Sequence, residues 1–129
     1  MRILDSDHCV ALLRGSLDLR GQVSPTEELA VTAISVGELI HGVCRSSRVD
    51  ENMARLDALL AAVVVLAYDE RAARHFGRTK AELERAGRSL SALDLQIASI
   101  ALEHQVPLVT HNRQHFERVP DLIVEDWLG

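Results

Sequence analysis

Aromatic residues are scarce in this chain: one Trp, one Tyr and two Phe make up 3% of 129 positions, while 47% of residues are hydrophobic. A core built without large rings has to be aliphatic and closely interdigitated, which suits layered helices and strands. Lysine is almost missing as well, since Lys80 is the sole lysine among 14 basic residues and the rest are Arg. An excess of positive charge is absent too: 19 acidic residues leave a formal charge of −5. That sign excludes holding nucleic acid by a broad basic surface, so any phosphate substrate needs bound divalent cations, clustered arginines, or both. Only Cys9 and Cys44 are present, with no CxxC pair, which argues against a small disulfide framework and fits reduced thiols in a cytoplasm. No stretch approaches the roughly 20 apolar residues of a membrane span, and the apolar run in MRILDSDHCV is too short for a secretory signal.

What is present is alternation. Arg2 to Leu4 is a short apolar run ending in Asp-Ser-Asp, and His8 to Leu13 has helical spacing that stops at Gly15. After a Gly/Ser/Pro/Thr loop from Gly21 to Glu28, Leu29 to Ile34 reads as a strand, and a helix is expected from about Ser35 to Cys44–Ser47. Asp50 to Ala62 carries Met53, Leu56, Leu59 and Leu60 at helical spacing, Val63 to Ala67 is β-branched, and Asp69 to Ala86 is a charged helix closed by Gly87. Ser91 opens a helix running to about His104, Pro107 to Thr110 is another strand, and Leu122 to Val124 adds a short last one. Strands alternating with helices in a chain of one-domain length predict a single α/β domain with a parallel sheet covered on both faces. The ligand site of such a sheet lies outside the carboxyl ends of its strands.

Three acids stand where that rule directs attention: Asp5 after the first strand, Glu38 early in the helix after the second, and Asp94 at the start of a late helix. Clustered carboxylates at neutral pH either take up protons or hold a hard cation that prefers oxygen ligands, such as magnesium or manganese. Each acid also has a plain structural reading. Ser35-Val36-Gly37-Glu38 and Ser91-Ala92-Leu93-Asp94 both fit a capping box, and Asp5-Ser6-Asp7 is a turn signal. Spacing alone leaves both readings open.

Four segments together carry a resemblance: ILDSD, AISVGEL, SALDLQIASIA and LVTHNRQHFERVPDLIVEDW, in this order and spanning nearly the whole chain. They resemble the PIN-domain toxins of bacterial toxin–antitoxin pairs, the VapC type. The resemblance implies a five-stranded parallel sheet flanked by helices, a magnesium-dependent endoribonuclease, and an antitoxin partner through which alone operator DNA is bound. It also implies a homodimer, for which the stripe of Met53, Leu56 and Leu60 would offer apolar surface. Position by position, the acids of the family fall on Asp5, Glu38 and Asp94. A fourth position, often Asp in PIN domains, is Asn112 here, which keeps an oxygen ligand but loses its charge. Asp7 adds a supporting carboxylate, while Ser6 and Thr110 position water or a ligand by hydrogen bonds. Hydrolysis by metal-activated water is then expected, leaving a 5′-phosphate and a 3′-hydroxyl.

Other features carry less. His111 and His115 lie four apart, but HNRQH lacks the Glu of a zinc-protease helix, so local packing or capping is expected. Trp127 is expected to anchor the tail to the core, and Arg71, Arg74 and Arg78 to form a solvated helix face. A receiver-type signalling domain would also use acids after strand one and a Thr, yet it wants a Lys after a late strand, and Lys80 lies within the charged helix. A PIN-like subunit of slight activity, working chiefly through its antitoxin at operator DNA, is the alternative that Asn112 keeps open.

Overall fold

The computed structural model describes residues 1–129. In chain order the elements are β1 (Arg2–Leu4), α1 (Ser6–Leu13), a 3-10 turn (Leu19–Gly21), β2 (Leu29–Thr32), α2 (Ala33–Cys44), α3 (Val49–Ala61), β3 (Val64–Leu66), α4 (Glu70–Arg85), α5 (Ala92–His104), β4 (Leu108–Val109), α6 (Arg113–Phe116) and β5 (Val124–Glu125). The strands form one parallel sheet in the order β3-β2-β1-β4-β5.

Successive residues of a strand face opposite sides, and the two cores follow that rule. Ile3, Ala30 and Leu108 point into a cluster closed by Ala72 of α4, by Ile97, Ala98, Ile100 and Ala101 of α5, and by Phe116 of α6. Their neighbours Leu4, Val31 and Val109 point the other way, onto Cys9 of α1, Leu39 of α2 and Leu56 of α3. The sheet is thus covered on both faces, as its near-continuous apolar strands require. Burial pushes the Cys9 thiol up to about 12, with Asp5 and Asp7 adding to the effect, so it behaves as a small hydrophobe. Both cysteines are free. No helix is long and apolar enough to cross a membrane.

Helix ends follow local chemistry. Gly15 and Gly87 take left-handed φ values of 74° and 68° just past α1 and α4, where a side chain would be strained. The start of α2 departs from the sequence expectation. Thr32 is the cap, its hydroxyl accepting from the Ser35 N–H at 3.1 Å, so the helix begins at Ala33 and β2 ends at Thr32 rather than Ile34. The apolar stripe of α3 is also used differently: Leu56 is completely buried and Met53 and Leu60 pack partly against the same core. Periodicity showed the stripe but not what covers it, and the chain itself covers most of it.

Candidate functional site

From β1 the chain steps outward through β2 to β3, then returns to the other side of β1 to lay down β4 and β5. The carboxyl ends of β1 and β4 therefore flank the switch point at which α/β sheets form their ligand crevice. Asp5 follows β1 and Thr110 follows β4, and the Thr110 hydroxyl donates to Asp5 Oδ2 at 2.8 Å. The other oxygen, Oδ1, accepts from the Ser6 N–H at 2.9 Å, capping α1. The local turn reading of Asp5 thus holds, and it does not use up the side chain's capacity to accept a further partner. Burial raises Asp5 above the ordinary carboxylate range; the Thr110 bond opposes this, and the charges of Asp7 and Asp94 reinforce it.

Glu38 of α2 and Asp94 of α5 lie within electrostatic reach of Asp5. Glu38 is raised by desolvation and then by Asp5, Asp94 and Asp7, which locates all four carboxylates in one field. With Thr32 as cap, Glu38 lies in the second turn of α2, out of reach of a capping box, so that reading of Glu38 is overturned. Asp94 keeps half of its own box: the Ser91 hydroxyl accepts the Asp94 N–H at 3.2 Å, while the Asp94 carboxylate makes no return bond and stays available. None of the ion pairs in the structure reaches Asp5, Glu38 or Asp94. The acids are not drawn into a single set of ligand distances. Like charges without a counterion hold each other apart, and an oxygen-only donor set of this kind fits a hard divalent cation, whose arrival would let them close.

Asp7 differs from its neighbours. Burial acts to raise it, but the hydrogen bonds from the His8 ring and from the His111 N–H hold it below the ordinary range. Its Oδ1 lies 2.7 Å from His8 Nδ1, and its Oδ2 accepts the His111 N–H at 3.0 Å. Asn112 follows directly, its N–H donating to the Thr110 hydroxyl at 3.1 Å, while its side chain makes no capping bond to α6. Ser6 lines a cavity of about 380 Å³ together with Glu38, Arg14 and Arg55.

The sequence did not disclose the role of His8. Its ring is completely buried, and its Nε2 accepts the Trp127 N–H at 3.1 Å. An N–H always donates, so the ring hydrogen sits on Nδ1 and points to Asp7. Trp127 packs edge-on to the His8 ring at 6.0 Å and against the α1–α2–α3 core, which ties the tail to the site. Beside it, Asp126 Oδ2 lies 2.9 Å from His111 Nδ1, so His111 serves the tail rather than pairing with His115. A lone His one position past an acid was the only signal. Arg71, Arg74 and Arg78 are exposed on α4, and Arg74 pairs with Glu70 at 3.0 Å.

Comparison with known proteins adds to this geometry. The PIN domain family model matches residues 3–122. Ribonuclease VapC2 of Rickettsia felis is 30% identical, with 97% of this chain and 96% of the relative covered. The tRNA(fMet)-specific endonuclease VapC of Salmonella typhimurium is 32% identical over the same shares. Among solved structures, DNA-bound VapBC from Salmonella typhimurium matches with a TM-score of 0.90 and 31% identity, covering 98% of this chain and 97% of the other. VapBC2 from Rickettsia felis bound to a promoter DNA fragment matches with a TM-score of 0.89 and 28% identity, covering 98% of each chain.

Proposed function

Because the chain belongs to the PIN-domain family, we propose that it is the ribonuclease toxin of a type II toxin–antitoxin pair, a magnesium-dependent endoribonuclease whose cation is held by Asp5, Glu38 and Asp94. The observation that carries this reading is the buried Asp5 at the β1/β4 switch point, sharing a field with Glu38, Asp94 and Asp7 and having no ion-pair partner. Such a centre is costly unless a cation compensates it. A bound magnesium or manganese ion supplies charge neutralisation and a more acidic water.

The residues of the chain divide the remaining work. Thr110 fixes one oxygen of Asp5, and the Ser6 N–H fixes the other, so this ligand is oriented before any cation arrives. Glu38, raised by desolvation and by its acidic neighbours and less buried than Asp5, orients or deprotonates the attacking water. Attack in line on phosphorus then leaves a 5′-phosphate and a 3′-hydroxyl. Asp7, held by His8 and His111, supports the centre from behind.

An antitoxin is the expected partner, with operator DNA reached through it, and the DNA-bound VapBC structures support that part of the reading. A homodimer belongs to it as well, on a face other than the largely covered Met53–Leu56–Leu60 stripe. The test is cleavage of single-stranded RNA by the purified chain in magnesium and in EDTA. Cleavage that needs the cation supports the enzyme. No cleavage in magnesium or manganese favours the second reading, a subunit that works through its antitoxin, which Asn112 in place of a fourth acid makes reasonable.

A further inference from the structure

A second cavity, of about 420 Å³, opens beside Asp94 and is lined by Ser89, Leu90, Ser91, Asp94, His115 and Arg118. Its arginine is set unusually. Arg118 Nη1 donates to the Ser89 carbonyl at 2.8 Å, and Arg118 takes part in no ion pair, whereas its neighbour Arg113 is paired with Glu117 at 2.9 Å. One N–H of the guanidinium is spent on anchoring, and the Nε/Nη2 edge remains for a bidentate acceptor. Ser91 Oγ accepts the Asp94 N–H, so its own O–H is free to donate into the same space, and the His115 ring is exposed there. The cavity thus presents donors beside a candidate metal ligand, in a chain whose formal charge of −5 gives RNA no general attraction.

We propose that this cavity is a phosphate subsite for the RNA strand: Arg118, with Ser91 and His115, holds the backbone phosphate next to the one being cut. The inference rests on the ribonuclease reading. Pinning a flanking phosphate fixes the register of the strand over Asp94, which is how a net acidic protein places a polyanion without a basic surface.

The test separates charge from structure. A fluorescein-labelled single-stranded RNA is titrated against the Asp5→Asn protein in magnesium, with and without Arg118→Gln, from 50 to 300 mM salt. Losing one phosphate contact should weaken binding about tenfold at low salt and reduce the slope of log K against log salt by about 0.7. Arg118→Lys keeps the charge, so it should retain the slope while binding a few-fold more weakly. In the otherwise wild-type protein, Arg118→Gln should raise KM by a similar factor and change kcat less than about twofold. A slope unchanged in Arg118→Gln, or a loss confined to kcat, overturns the subsite, the latter assigning Arg118 to holding Ser89 in the segment that leads into α5. Failure of the wild-type chain to cut RNA in magnesium instead counts against the ribonuclease reading itself, so the two failures are distinct.

Discussion

Thr32 accepts the backbone N–H of Ser35 at 3.1 Å, and this one bond decides how Glu38 is to be understood. A helix capped at Thr32 has its third residue at Ser35, so Glu38 has no unsatisfied N–H to serve. What Glu38 does have is a raised affinity for protons, from desolvation and from Asp5, Asp94 and Asp7.

Glu38→Gln should therefore leave the metal-free protein as stable as wild type or more stable, because it relieves carboxylate repulsion, while magnesium-dependent RNA cleavage falls by two or more orders of magnitude. Urea unfolding in EDTA alongside cleavage rates checks both halves. A less stable variant with full activity would return Glu38 to a structural role.

Asp5→Asn keeps the volume and one acceptor oxygen, enough to cap α1 through the Ser6 N–H, while its NH2 stands where the oxygen that accepted from Thr110 was and can donate to that hydroxyl instead; Asp94→Asn leaves the Ser91 cap in place. Both variants should fold, bind manganese at least tenfold more weakly, and lose cleavage. Near wild-type activity of either one at limiting magnesium removes that residue from the ligand set.

Proton linkage gives the same centre a signature without substrate. Asp5 and Glu38 are raised in the folded chain, chiefly by desolvation, with Asp7 and Asp94 adding to both and Asp5 adding to Glu38, so the folded state binds protons more tightly than the unfolded one. Their contribution favours folding when they are protonated and is lost as pH rises from about 4, the ordinary carboxylate value, through the raised folded values. Asp7 and Asp126, both lowered, act oppositely, gaining stability as pH rises toward the ordinary range. In EDTA, the stability of Asp5→Asn/Glu38→Gln relative to wild type should increase between pH 4 and pH 7, and magnesium should close the gap. A difference independent of pH would mean that the two acids are not coupled to folding.

How legible these features were depended on how local their causes are. The strand–helix alternation and the stops at Gly15 and Gly87 follow from short-range chemistry and could be read off the chain, whereas for the three acids spacing left capping and site readings open and only the resemblance of four distant segments singled them out. The start of α2 was misplaced because Ser35 and Thr32 are both good caps, and only the end of β2 chooses between them. The Met53–Leu56–Leu60 stripe was visible as periodicity, but its partner, the face made by Leu4, Val31, Leu39 and Val109, is assembled from distant segments. His8 was the hardest to read: Asp7 is next to it, but the Trp127 N–H that sets its tautomer lies 119 positions away.

His8→Ala tests that long-range link. It strands Asp7 Oδ1 and the Trp127 N–H and leaves a hole in a fully buried position, so it should cost about 2–4 kcal/mol of unfolding free energy. Manganese affinity should also fall several-fold, because Asp7 loses the partner that orients it. A cost below about 1 kcal/mol with unchanged manganese binding would show that the His111 N–H and the Thr110 hydroxyl hold Asp7 without His8.

Asn112→Asp bears on the point at which the chain departs from the pattern that its resemblance suggested. Asn112 lies two residues past Thr110, and its N–H donates to the Thr110 hydroxyl that orients Asp5, so its backbone is tethered beside that acid. A carboxylate there adds a fifth negative charge to the field of Asp5, Asp7, Glu38 and Asp94, and a charged oxygen ligand. Without metal, the added repulsion should lower stability near pH 7 and push Asp5 further up; with metal, the same charge should tighten manganese binding, so the stabilisation gained on adding manganese becomes larger than in wild type. If Asn112 already serves as a neutral ligand, cleavage at saturating magnesium changes little and the gain appears at limiting magnesium. If wild type is inactive and Asn112→Asp cuts RNA, the missing charge was the defect, and the native chain is the weakly active subunit. Thermal unfolding with and without manganese, together with cleavage across a magnesium series, distinguishes these outcomes; a variant identical to wild type in all of them would place position 112 outside the site.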